Sequence, residues 1–216
     1  MEPRQAKFIF SAVVLAVSAL IIFLFLRTSG PSFDLAPHYA IGKVMAEEAA
    51  KLATGGGRVT IIGRDDAAFA NPYAAAELQA LLSALRSANC SIASTNLLKL
   101  DPLRLARVPA GDYAQMTRRL GDKDVVVCLL GAPDLNAELL KATGTAQPKL
   151  VALCTGTFPR QIALKPLFDK QILQAAIVSK EELSAAAAGG GHGDAFDKLY
   201  AVVTAKNVDE LSAPAK

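Results

Sequence analysis

The residues best placed to do polar chemistry are an arginine and two carboxylates at the end of an apolar run. The stretch Arg58 to Asp66, RVTIIGRDD, reaches Gly63 and then presents Arg64, Asp65 and Asp66. A guanidinium donates hydrogen bonds in a plane and carboxylates accept them, so the trio can hold a polar ligand. It is poorly arranged for acid–base catalysis, because Asp65 and Asp66 are neighbours in sequence rather than groups facing one another across a gap. Other polar residues also follow apolar runs: Asp134 comes after LLGAP, and Thr155, Thr157 and Arg160 come after KLVALC. A second reading stays open for these residues. Arg64 with Asp65 or Asp66 also makes a solvated turn, and Asp134 also makes a helix N-cap.

Other chemistries lack material. The chain holds two histidines, His38 and His192, too few for a histidine-based metal site, and it has no H-E-x-x-H. GGGRVT precedes a strand and has no Lys-Ser/Thr pair, so it is not a phosphate loop, and GGGHG has no strand before it. No G-x-S-x-G occurs. The reading is therefore of no catalytic residue, no metal and no cofactor, with an enzyme unsupported. His192, among glycines, is expected to face solvent. Cys128 and Cys154 sit inside apolar runs and read as core thiols, while Cys90 opens a strand and is the candidate for reaction.

A different kind of contact is offered by Asn96 to Val108, NLLKLDPLRLARV. Leu97, Leu98, Lys99, Arg104 and Arg107 make a basic, apolar mixture that can dock on a partner or a membrane surface. The alternative is an irregular excursion whose leucines cap the sheet edge, since Asp101-Pro102 breaks any helix there. The net charge of +3, with no dense Lys/Arg block, gives no nucleic-acid surface.

These residues need a scaffold, and the body of the chain alternates helical and strand signals. A helix over His38 to Ala53 runs into Gly55-Gly56-Gly57, and the strand RVTIIG follows. Asn71-Pro72 opens a helix with Leu78, Leu81, Leu82 and Leu85 on one face, and Cys90 to Thr95 is the second strand. A helix from Gly111-Asp112 leads to the apolar run Asp124 to Gly131. A helix from Asp134 to about Ala142, the strand Lys149 to Cys154, a helix Pro166 to Leu173, the strand Ala175 to Val178 and an edge strand Leu199 to Thr204 complete the series. Continuous apolar strands mean burial on both faces. The fold class is therefore α/β, a three-layer αβα arrangement with a mainly parallel, Rossmann-like sheet of five or six strands ordered 2-1-3-4-5. In such a sheet ligands bind at the carboxyl ends of strands where the order reverses, which collects Arg64, Asp65, Asp66, Asp134, Thr155, Thr157 and Arg160.

Before the body lies Phe8 to Leu26, FIFSAVVLAVSALIIFLFL, an apolar run between Lys7 and Arg27. At about 1.5 Å per residue it approaches the hydrocarbon thickness of a bilayer. A signal peptide has a shorter apolar region and a small-residue cleavage site, whereas Pro31 follows this run closely. A pilin-like start lacks its glycine and glutamate. The expected organisation is a cytoplasmic segment 1–7, a single transmembrane anchor 8–26, a linker 27–36, an extracytoplasmic domain 37–207 and a flexible tail 208–216. Arg4 and Lys7 on the near side place the N-terminus in the cytoplasm, at the inner or plasma membrane, and the body in the periplasm or outside the cell.

The succession YAIGKVMAEEAAKLATGGGRVTIIG, AAELQALLSALRSANCSIAST, YAQMTRRLGDKDVVVCLLGAPD and PKLVALCTGT resembles one lobe of the type I periplasmic binding proteins, the sugar-receptor-like family. The resemblance covers roughly Tyr39 to Val178. It implies a domain that binds a small ligand or an envelope protein. The family closes two lobes over a ligand, so a lone lobe needs its second wall from another copy or another protein. The alternative is an envelope assembly protein that self-associates into a homo-oligomer.

Overall fold

The computed structural model describes residues 13–24, 33–68, 70–100, 107–133, 147–155, 164–183 and 191–211. The chain divides into two units, Met1–Asp34 and Leu35–Lys216. In the first, residues 13–24 are helical. Their large apolar side chains are exposed, Leu15 by 71%. No helix among the described residues is long and apolar enough to cross a membrane. The rest of the 8–26 run lies outside the described residues.

The second unit holds helices α1 (Ala36–Leu52), α2 (Pro72–Ser87), α3 (Ala110–Thr117), α4 (Lys165–Asp169) and α5 (Asp194–Asp197). Its strands are β1 (Arg58–Arg64), β2 (Ser91–Leu98), β3 (Val125–Cys128), β4 (Lys149–Cys154), β5 (Leu173–Ser179) and β6 (Tyr200–Val203). They form one six-stranded sheet in the order β2-β1-β3-β4-β5-β6, parallel except for β6. Side chains of successive residues point to opposite faces. Val59, Ile61, Val125, Val127 and Ile177 meet Ile41, Val44, Met45, Leu81 and Leu85 of α1 and α2, with Phe196 of α5. Ile62, Val126, Cys128, Ala152 and Val178 meet Tyr113 of α3 and Leu167 and Phe168 of α4. Each fully buried Ile or Leu contributes about 1.5–3 kcal/mol. Burial on both faces is why the strands read as unbroken apolar runs, and the three layers match the sequence expectation.

Local signals work where their chemistry is complete. Asn71 caps α2, its side-chain oxygen accepting from the N–H groups of Tyr73 at 3.0 Å and Ala74 at 3.3 Å. Asp124 joins the starts of β1 and β3: its Oδ1 accepts from the Arg58 N–H at 2.9 Å, and its Oδ2 accepts from the Gly121 N–H at 3.0 Å and lies 3.3 Å from Arg58 Nη2. Burial alone would raise this carboxyl's pKa, but the Gly121 and Arg58 hydrogen bonds and the Arg58 charge outweigh it and hold the pKa below the ordinary value.

Several elements differ from expectation. The second strand runs on to Leu98, because Asn96, Leu97 and Leu98 keep pairing with Ile62, Gly63 and Arg64. The expected helix Pro166 to Leu173 stops at Asp169, since Gln171 has φ 56° and Leu173 already pairs with Leu150. Residues 208–210, placed in a loose tail, form a 3₁₀ turn with Val208 buried, and Leu211 bridges to Leu183. The helix expected from Asp134 lies outside the described residues.

Candidate functional site

The carboxyl ends of β1 and β2 finish side by side. The Asp65 N–H donates to Leu98 O at 2.8 Å, which extends the ladder one residue past β1, and the Leu129 N–H donates to Ile62 O at 2.9 Å on the other side. Asp65 Oδ1 then accepts from the Ala67 N–H at 3.0 Å, an Asx turn that leads the chain away from the sheet. Arg64, Asp65 and Asp66 are thus fixed on a strand end and a hydrogen-bonded turn. At Gly63 a Cβ would come within 3.3 Å of Leu97 Cδ2, so the missing side chain leaves room for Leu97 over the strand end.

Arg64 Nε lies 3.4 Å from Asp66 Oδ1, with both side chains 23% exposed. Both atoms are buried, and neither makes a hydrogen bond of good geometry. The two charges face each other away from solvent, so the pair holds the Arg64 side chain against the turn. Burial raises the Asp66 carboxyl pKa, the Arg64 charge opposes that shift and the Asp65 charge adds to it. Arg64 and Asp65 line a cavity of about 290 Å³ together with Ala67, Ala68, Lys99 and Leu100. It presents two cations and a carboxylate beside small apolar surfaces, an arrangement that can orient a small polar molecule.

The structure redistributes the expected site residues. Arg64 and Asp65 line the cavity, and Asp66 pairs with Arg64 without lining it. Lys99, read from sequence as part of a partner-docking stretch, lines the same cavity. Leu98 is half-buried against the core, whereas Leu97 is 46% exposed on the edge strand. Thr155 follows β4 half-buried and does not line this cavity, and Arg107 is half-buried just before the buried Val108. Asp134, Thr157, Arg160 and Arg104 lie outside the described residues. Sequence reasoning missed Ala67 and Ala68, whose only signal is their place after a strand end, and it put Leu100 in the docking stretch.

A larger cavity of about 700 Å³ opens at the opposite, amino edge of the sheet, with Lys149, Phe168, Gln171, Gln174 and Lys206 among its lining residues. Elsewhere, His38 Nδ1 lies 2.7 Å from Glu77 Oε1, and its ring stacks on Tyr73. His192 is half-buried rather than solvent-facing: its ring meets Phe196 edge-on, and Nδ1 is 3.4 Å from Glu47 Oε2. Among the described residues no group of three His, Cys, Asp or Glu side chains can hold a metal ion. Cys128 and Cys154 are buried, as expected, and burial pushes the Cys128 thiol up to about 12.

No protein-family model matches this sequence, and no curated protein matches it in sequence. In three dimensions the chain is similar to AraP, an arabinose-binding protein from Geobacillus stearothermophilus, with a TM-score of 0.53 at 16% identity, over 82% of this chain and 63% of that one. It is also similar to the sugar-binding protein of a sugar ABC transporter from Bacillus halodurans, with a TM-score of 0.53 at 11% identity, over 81% of this chain and 64% of that one. The likeness is one of fold, and it agrees with the sequence resemblance to the type I periplasmic binding proteins. This chain spans less than two-thirds of the length of either neighbour.

Proposed function

We propose that this chain is an extracytoplasmic binding domain, held at the membrane by residues 8–26, that takes a small, hydroxyl-rich ligand at the carboxyl edge of its sheet. The observation that carries the reading is the pocket of about 290 Å³ at the ends of β1 and β2, lined by Arg64, Asp65 and Lys99, with Asp66 pairing to Arg64 at 3.4 Å. Such groups suit a polyol, whose hydroxyls both donate and accept. The two neighbours named as arabinose- and sugar-binding support the same class. The residues described form one wall of the site, and in this reading a further protein surface supplies the second wall. Asp134, Thr157 and Arg160 belong to the same edge in this proposal, and Leu97, Leu98, Lys99, Arg104 and Arg107 to the partner contact.

The test is a titration of the full chain in detergent micelles with a panel of pentoses and hexoses. Arg64→Ala and Asp65→Ala each abolish binding and leave the melting temperature nearly unchanged. Binding that survives both changes removes this edge from the account. A reporter enzyme active only outside the cytoplasm, fused after Lys216, tests the orientation; a silent fusion with an active N-terminal counterpart reverses it.

A second reading, a self-associating envelope protein, is favoured by one observation. The edge strand β2 carries no charge over its eight residues and leaves Leu97 46% exposed, a surface that invites another strand. Sedimentation over a range of concentration separates the readings, because a monomer throughout rules out self-association.

A further inference from the structure

We propose that the cavity at the amino edge of the sheet is a second ligand site, built for a small organic anion. It lies where β4 and β5 begin and β6 ends, at the opposite end of the strands from Arg64. Its volume of about 700 Å³ is within the range of small-molecule sites. The buried Phe168 and Leu173 give it an apolar floor, and Lys149 and Lys206 set two ammonium groups against the single carboxylate of Asp122. Amide side chains of Gln147, Gln171 and Gln174 supply neutral donors and acceptors.

Two backbone irregularities meet at this cavity. The β4–β5 register skips Gln174, since Leu150 pairs with Leu173 and Val151 with Ala175. The β1–β2 ladder has a similar shift between Val59 and Thr60, but at this one the extra residue, Gln174, lines the cavity. Here Gln174 Oε1 accepts from the Leu150 N–H at 2.6 Å, and Gln174 Nε2 donates to Gln171 O at 2.5 Å. The second irregularity is Gln171 itself, at φ 56°, in a left-handed conformation that favours glycine or asparagine. Gln171 follows the end of α4, where this conformation closes the helix, and its exposed side chain lines the cavity. Lys149 Nζ donates to Leu52 O at 2.9 Å, which fixes the ammonium while two of its hydrogens stay available for a carboxylate or phosphate oxygen.

The test is calorimetric titration of the full chain in detergent micelles with citrate, glucose 6-phosphate and inorganic phosphate. Citrate or glucose 6-phosphate binds, and Lys206→Glu, a change at an exposed side chain, weakens the complex about tenfold or more. Gln171→Gly separates a ligand-contacting role from a structural one: it raises the melting temperature by relieving the left-handed strain and weakens binding in the same protein. Arg64→Ala leaves the affinity unchanged, so the result stands or falls independently of the carboxyl-edge site. No heat with any of the three anions at about 10 mM overturns the proposal. Affinity untouched by Lys206→Glu, or lost in Arg64→Ala, does the same. Inorganic phosphate binding as tightly as glucose 6-phosphate also overturns it, because the apolar floor would then contribute nothing.

Discussion

Replacing Gly42 by alanine should destabilise the body although alanine is the better helix former. Gly42 sits inside α1 where it crosses α2, and a Cβ there would lie 2.3 Å from Glu77 O, 2.8 Å from Ala80 Cβ and 2.9 Å from Leu81 N. A relaxed carbon–oxygen contact is about 3.3 Å, so the helices must part by roughly 1 Å. The atoms in the way are mostly backbone and cannot rotate aside. Overpacking costs about 1–3 kcal/mol, here about 2–3 because backbone atoms block the new methyl, and the gain in helix propensity returns about 1 kcal/mol. The net loss is about 1–2 kcal/mol, or roughly 2–8 °C in melting temperature for a body of this size. Circular dichroism melts of the full chain in detergent would read it. Gly111→Ala is the control, since nothing lies within 4 Å of a Cβ built there in α3, and it should be neutral or slightly stabilising. A Gly42→Ala protein as stable as the parent would refute the close approach of α1 and α2.

Two further predictions concern pH. The Asp124 carboxyl pKa is lowered on folding, so its stabilisation is present above the unfolded value of about 3.9 and fades as pH falls through the folded one. Asp124→Asn should therefore lower stability by about 1–3 kcal/mol at pH 7 and flatten the acid limb of a denaturant series. Glu77 behaves oppositely. Burial raises its carboxyl pKa despite the hydrogen bond and charge of His38, so its contribution is complete below about 4.3 and is lost as pH rises through the raised value. Melts of Glu77→Gln across that window should lack this slope; an identical slope would show that another group titrates. For the thiols, native labelling with iodoacetamide should modify Cys90 alone, with Cys128 and Cys154 reacting only after denaturation. Rapid native labelling of Cys154 would contradict its burial.

How far the sequence could be read depended on whether the signal was local. VVVC and KLVALC are buried on both faces and announce themselves as interior strands, and Asn71-Pro72 carries a complete capping geometry in two residues. The sheet order follows once the strands are known, because few crossovers are allowed. The second strand reads too short because polar Asn96 interrupts the apolar signal on an edge strand, although Asn96, Leu97 and Leu98 go on pairing with β1. Leu167, Phe168 and Ile172 look like one helical stripe, yet Gln171 turns the chain between them. For the site, the Arg64 cluster was legible because its members are consecutive. Lys99 was assigned elsewhere since only the parallel pairing of β1 with β2 brings it beside Arg64. The amino-edge cavity has no sequence signature at all, being assembled from four separate segments.

The central claim is that the carboxyl edge holds a small polar ligand, and native mass spectrometry of the full chain, extracted gently from membranes in which it was expressed, tests it most directly. The account predicts a retained adduct of sugar-like mass that disappears in Arg64→Ala and Asp65→Ala. A bare chain in every preparation, or an adduct indifferent to both substitutions, would contradict it.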